Sequence, residues 1–135
     1  MELIVRQLSE NDYSDILVHW WDDWGWTPPP KEMLPNNGDG GLIIYDGDEP
    51  ICAGFMYATN SSVALIEYII SSKTYKKKPQ RRDAINLLVE SLTDVSRDAG
   101  FKFAFATLKS KSLINTYMKN GYTRGDSTQE MIKVL

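Results

Sequence analysis

The sequence predicts an α/β fold, with a mixed, partly antiparallel central sheet flanked by helices, and three observations carry that reading. Three apolar runs lie close together between residues 41 and 71, separated only by turn-forming residues. A helix-period stripe follows at 84–95, and a strand-period run from Phe101 to Ala106 comes directly after it. Hairpins first and crossovers later is the order of a mixed sheet. The 135 residues are 42% hydrophobic and 24% charged, so a single domain over residues 1–135 is expected to bury a core of its own.

The elements follow in order. Leu3 to Leu8 reads as a strand, and Ser9 as the N-cap of a helix with Asp12 in its first turn. Tyr13, Ile16, Leu17 and Trp20 share one helical face, which Trp24 extends before Pro28-Pro29-Pro30 ends it. Residues Gly25 to Gly41 make a long loop, with at most one helical turn around Met33-Leu34. Strands at Gly41–Tyr45 and Ile51–Thr59 flank the turn Asp46–Pro50, and Asn60-Ser61-Ser62 leads to Val63–Ser71. That last run is apolar almost throughout, as a central strand covered on both faces must be, and Glu67 is its one charge.

A helix is expected from about Asp83 to Ala99, with Ala84, Leu87, Leu88, Ser91, Leu92 and Val95 as its core stripe and Gly100 as its cap. Phe101, Phe103 and Phe105 alternate as in a strand. Ser110 or Ser112 caps a short helix to Lys119, Gly121 closes it, and Met131–Leu135 is expected to form a final strand.

Composition narrows the function. The lone Cys52 sits in an apolar run, so a buried reduced thiol is expected and a disulfide scaffold is excluded. One cysteine and one histidine supply no metal set, and His19 reads as a surface or packing residue. No apolar run is long enough to span a bilayer and the amino terminus lacks a secretory pattern, so a cytoplasmic protein is expected. Lys and Arg number 15 against 18 Asp and Glu, a net charge of −3, which argues against binding duplex nucleic acid by bulk charge. Any anion site must be local.

One such site is visible. Lys76, Lys77, Lys78, Arg81 and Arg82 crowd the start of the long helix, where free backbone N–H groups and the helix dipole favour phosphate. The alternative is a solvated basic loop. Further on, Tyr117-Met118-Lys119-Asn120-Gly121-Tyr122 closes the last helix with a tyrosine followed four residues later by glycine and then an aromatic.

On this element order and this closing motif, nearly the whole chain resembles the GCN5-related N-acetyltransferase family, whose fold is the acyl-coenzyme A N-acyltransferase fold. The resemblance implies that acetyl-coenzyme A binds at the turn after the fourth strand. The family's signature there is Arg or Gln, two residues, Gly, one residue, then Gly or Ala. Aligned on Tyr75, this chain has Lys76, Pro79 and Arg81 instead, so the glycine N–H donors are replaced by side-chain cations. Backbone groups of Ile69, Ile70 and Ser71 are implied to hold the pantetheine arm as an added strand, and Ser110 falls where the pattern often has Asn.

The same resemblance makes Tyr117 the general acid that protonates the departing thiolate, and Glu67 the base that takes a proton from the amine. Against these stand simple packing for Tyr117 beside Leu113 and Ile114, and a solvent-facing, paired charge for Glu67. Trp21, Asp22, Trp24 and Trp26 are implied to build the acceptor pocket, where aromatic faces and carboxylates suit an ammonium group. The alternative places Trp20 and Trp24 in the core and Trp21 and the aspartates in solvent.

The function expected is transfer of an acetyl group from acetyl-coenzyme A to an amine on a small molecule or peptide, by direct attack. Two others remain open. One is a non-catalytic module of this fold, gripping a protein or nucleic-acid phosphate with Lys76 to Arg82. The other is a transferase acting on a nucleic-acid base stacked on the tryptophans, which the acidic balance disfavours.

Overall fold

A computed structural model describes residues 2–135. Strand β1 (Leu3–Gln7) is followed by a π-type turn over Tyr13–Leu17 that runs directly into α1 (Val18–Asp23). The hairpin of β2 (Gly41–Asp46) and β3 (Glu49–Ala58) leads to β4 (Val63–Ser71). Helix α2 (Lys78–Asp98) crosses over to β5 (Phe103–Phe105), and α3 (Lys111–Lys119) follows. The strands form one sheet in the order β1-β2-β3-β4-β5, antiparallel from β1 to β4 and parallel between β4 and β5. This is the mixed α/β architecture that the sequence predicts.

Both faces of the sheet are covered. Ile43 and Ile44, neighbours in β2, point to opposite sides as strand geometry demands, and each joins a different core. Ile44 packs with Cys52, Ile66, Leu88, Leu92 and Tyr117 beneath α2 and α3. Ile43 packs with Leu17, Trp20, Trp21, Phe55 and Ile70 beneath α1 and the long loop. Each such fully buried aliphatic side chain contributes about 1.5–3 kcal/mol. Cys52 is buried and free, as expected, and burial pushes its thiol well above the usual range, which leaves it unreactive.

One irregularity in β4 positions the candidate site. Ile66 and Ile70 are four residues apart and belong on one face of a regular strand, yet they enter opposite cores. The cause is a bulge. The partner of Ala53 in β3 is Ile70 and that of Phe55 is Glu67, so β4 carries one extra residue there, and Tyr68 absorbs it at a φ of 55°. The side-chain alternation is broken, and Glu67, Tyr68 and Ile69 all reach one cavity.

Several expectations change. Met131–Leu135 forms no strand: the segment makes no ladder, and Met131, Ile132, Val134 and Leu135 are exposed. Strand composition acts only through pairing, and the edge on that side of the sheet, β5, is only three residues long. Phe103 and Phe105 are 65% and 55% exposed, and it is Ala104 and Ala106 that pack against the core. In α2 the buried stripe is Ala84, Leu88, Val89, Leu92 and Ser96, with Val95 turned outward. The helix also starts five residues earlier than expected, so Lys78, Arg81 and Arg82 lie on it. Before the π-type turn, the Asp12 carboxylate accepts the Ser9 N–H at 2.8 Å, while no side chain caps the turn itself.

Candidate functional site

Pairing between β4 and β5 stops at Leu65 and Phe105, although β4 continues to Ser71. Beyond that point the backbone edge of residues 66–71 has no strand beside it on the β5 side. A cavity of about 450 Å³ opens in the resulting splay. Leu65, Glu67, Tyr68 and Ile69 form one wall, Thr107, Leu108 and Lys109 the opposite one, and Leu113 and Tyr117 of α3 its end. Tyr57, Met33, Glu130 and Ile132 complete it. Its volume is that of an ordinary small-ligand site.

The two residues that sequence reasoning assigns to catalysis both line it. Glu67 is half-buried, and its carboxylate accepts the Thr107 N–H at 3.0 Å and the Thr107 hydroxyl at 2.8 Å. Burial raises its pKa, the bonds from Thr107 lower it, the Glu130 charge raises it again, and the net direction is upward. A carboxylate held this way is a better proton acceptor than an exposed one. Tyr117 is buried, and its hydroxyl donates to the Ile66 carbonyl at 2.9 Å. Burial, then the Tyr122 ring edge-on at 4.9 Å and the Glu67 charge, push its pKa far up, so this phenol keeps its proton.

Solved structures share this architecture throughout. Glucosamine-6-phosphate N-acetyltransferase from Arabidopsis thaliana superposes with a TM-score of 0.68, covering 98% of this chain and 99% of its own at 13% identity. The ribosomal-protein-S18-alanine N-acetyltransferase from Escherichia coli gives 0.68 at 12% identity, covering 93% and 80%. An aminoglycoside acetyltransferase from an uncultured soil metagenomic sample gives 0.65 at 18% identity, with full coverage of both chains. This chain has the GCN5-related N-acetyltransferase fold. No family model matches the sequence, and neither does any curated protein.

In that fold the basic turn before α2 sorts into distinct roles. Arg81 folds back: its guanidinium donates to the carbonyls of Ser72, at 2.9 Å, and of Tyr75, and so staples the turn. Lys77 is drawn to Asp46 at 3.7 Å, and the buried Tyr75 hydroxyl donates to that same carboxylate at 2.8 Å. Lys76, Lys78 and Arg82 are exposed and free of ion pairs among the described residues. No side chain caps α2, and the first-turn N–H groups of Lys78 and Gln80 have no acceptor among the described residues, while Pro79 has none to donate. Two free amides, three free cations and an open strand edge fit a diphosphate carrying an extended arm.

Ser110 serves as the N-cap of α3, accepting the Leu113 N–H at 3.3 Å. Ile69 lines the cavity, Ile70 is buried in the α1 core, and Ser71 holds the Trp24 indole N–H on its carbonyl at 2.8 Å.

The tryptophan cluster divides between the two readings: Trp20 is buried and Asp22 exposed, as the packing alternative has them. Trp21 is buried rather than turned to solvent, and it meets Tyr68 edge-on at 6.5 Å. Trp24 and Trp26 stack at 5.6 Å beside Lys73, and Asp22 is exposed. None of the four lines the cavity, whose aromatic wall is Tyr57 and Tyr68 with ring centres 6.4 Å apart. Sequence reasoning missed these two tyrosines, Thr107 and Glu130. The only sequence signal for Tyr68 was its neighbour Glu67, and nothing local marked Glu130. His19 is exposed, and no group of residues able to hold a metal ion occurs among the described residues.

Proposed function

We propose that the protein transfers an acetyl group from acetyl-coenzyme A to an amine by direct attack within the splay between β4 and the chain after β5. The observation that carries this reading is the cavity there, with a proton acceptor, Glu67, and a protonated donor, Tyr117, on adjoining walls. Glu67 takes one proton from the ammonium group, and the neutral nitrogen bonds to the thioester carbon. The C–S bond then breaks, the thiolate takes a proton from Tyr117, and the nitrogen's second proton passes to the resulting tyrosinate, so that the phenol is restored and the proton on Glu67 is the one released. The products are an amide, a free thiol and one net proton. Lys76, Lys78, Arg82 and the Lys78 and Gln80 amides support binding of the diphosphate. The backbone of residues 67–70, which has no strand partner on the β5 side among the described residues, supports an added strand of pantetheine.

The exposed cations Lys76, Lys78 and Arg82, with no glycine between Ser72 and Arg82, also favour a second reading: a non-catalytic module that grips phosphate. One experiment separates the two. Acetyl-coenzyme A is titrated into the protein by calorimetry, and thiol release is followed with a panel of primary amines. Saturable binding with amine-dependent release supports transfer; binding of polyphosphate alone, with no release, supports the module.

A further inference from the structure

The cavity holds a second carboxylate that acetyl transfer itself does not require. Glu130, from the segment after α3, lines it together with Glu67, and it makes no ion pair among the described residues. It is close enough that its charge acts on both Glu67 and Tyr68. The rings of Tyr57 and Tyr68 line the same cavity with centres 6.4 Å apart, and Tyr57 is fixed by donating its hydroxyl to the Met33 carbonyl at 2.8 Å. Ring faces attract cations. The one basic side chain of the lining is the exposed Lys109.

The reacting nitrogen surrenders its charge to Glu67 before it attacks, so it cannot also neutralise Glu130 through the reaction. Glu130 is itself exposed, at the mouth open to an incoming ligand, and a ligand group that pairs with it through the reaction must be a cation that persists. We infer that the acceptor is an amine bearing a second positive charge, and that Glu130 is the residue selecting it. The inference rests on the transfer proposed above.

The test titrates 1,4-diaminobutane, n-butylamine and 4-aminobutanoate into the full chain by calorimetry, with thiol release from acetyl-coenzyme A measured in parallel. The diamine is expected to bind about fivefold more tightly than the monoamine, the scale of an ion pair open to solvent. Glu130→Gln should remove that preference, and Glu130→Lys should shift it toward 4-aminobutanoate. Equal binding of diamine and monoamine, a preference that survives Glu130→Gln, or no binding of the diamine overturns the inference. The two readings fail separately. A Glu130-dependent preference without thiol release leaves the dication site standing and removes the transfer. Release without preference does the reverse.

Discussion

The Tyr117 hydroxyl donates to the Ile66 carbonyl at 2.9 Å, tying α3 to β4 one residue beyond the last β4–β5 pair. The splay is therefore held open from one end by a buried hydrogen bond made by a candidate catalytic group. Tyr117→Phe should show both roles. Loss of the donor leaves a buried carbonyl unpaired and should cost about 1–3 kcal/mol in urea unfolding. Thiol release should slow while the affinity for acetyl-coenzyme A stays nearly constant. Turnover equal to the parent protein would remove Tyr117 from the chemistry and leave it a structural tie.

Glu67 predicts a pH dependence. Its pKa is displaced upward from the ordinary value of 4.5, chiefly by burial, so the rising limb of kcat/KM against pH should lie above the usual glutamate range. Thr107→Val removes a hydroxyl that favours the charged form and should move the limb higher still. Stability has the matching sign. Burial favours the protonated carboxyl, so the contribution of this group is full below 4.5 and falls as pH rises through the displaced value. Melting temperatures of Glu67→Gln across that window should lack the fall, and a limb at the ordinary glutamate pKa would sink the assignment.

Element order, hairpins and the long β4 were legible because each rests on a periodic apolar pattern closed by turn chemistry. Val63–Ser71 was read with its observed bounds for that reason. Glu67 and Tyr117 were legible as candidates, one as the sole charge in an apolar strand and the other through a motif. The bulge at Tyr68 was not, because nothing in Glu67-Tyr68-Ile69 favours a left-handed residue and the conformation comes from pairing with β3. Trp21 was misplaced because two adjacent residues of α1, Trp20 and Trp21, both enter the core, whereas a single helical stripe accounts for only one of them. The alternation of Phe103 and Phe105 marked β5 but not which face is covered: an edge strand with little over one face leaves large side chains in solvent.

The bulge can be tested directly. Tyr68 holds a φ of 55°, which costs about 1 kcal/mol or more for a side chain with a Cβ and more for a β-branched one. Tyr68→Gly loses the packing against Trp21 and Tyr57 but relieves the backbone, whereas Tyr68→Val retains apolar bulk and adds strain. Unfolding should therefore rank Val below Gly in stability, against the order of their hydrophobicity. The Val variant should also lose turnover more steeply, because a flattened strand cannot aim Glu67 and residue 68 into the same cavity. The reverse ranking would show that ring burial, not the turn, dominates at this position.

The basic turn gives the sharpest separation of roles. Arg81 binds carbonyls of its own loop, at Ser72 and Tyr75, so Arg81→Ala should lower the melting temperature and weaken acetyl-coenzyme A together. Arg81→Lys should rescue in part, since both bonds come from one guanidinium nitrogen, Nη2, whose place an ammonium with three donors can take. Lys76, Lys78 and Arg82 are exposed and unpaired, so replacing any one with alanine should leave the melting temperature unchanged. Affinity should fall about threefold to fivefold, with a shallower salt dependence, as expected for a screened surface charge lost from a phosphate site. Lys77→Ala should do less, because that ammonium already faces Asp46. Calorimetric titration of the six variants at low and high salt, beside their melting temperatures, reads them all. A thermally neutral Arg81→Ala, or salt slopes identical to the parent for Lys78→Ala, would mean that the phosphates bind elsewhere.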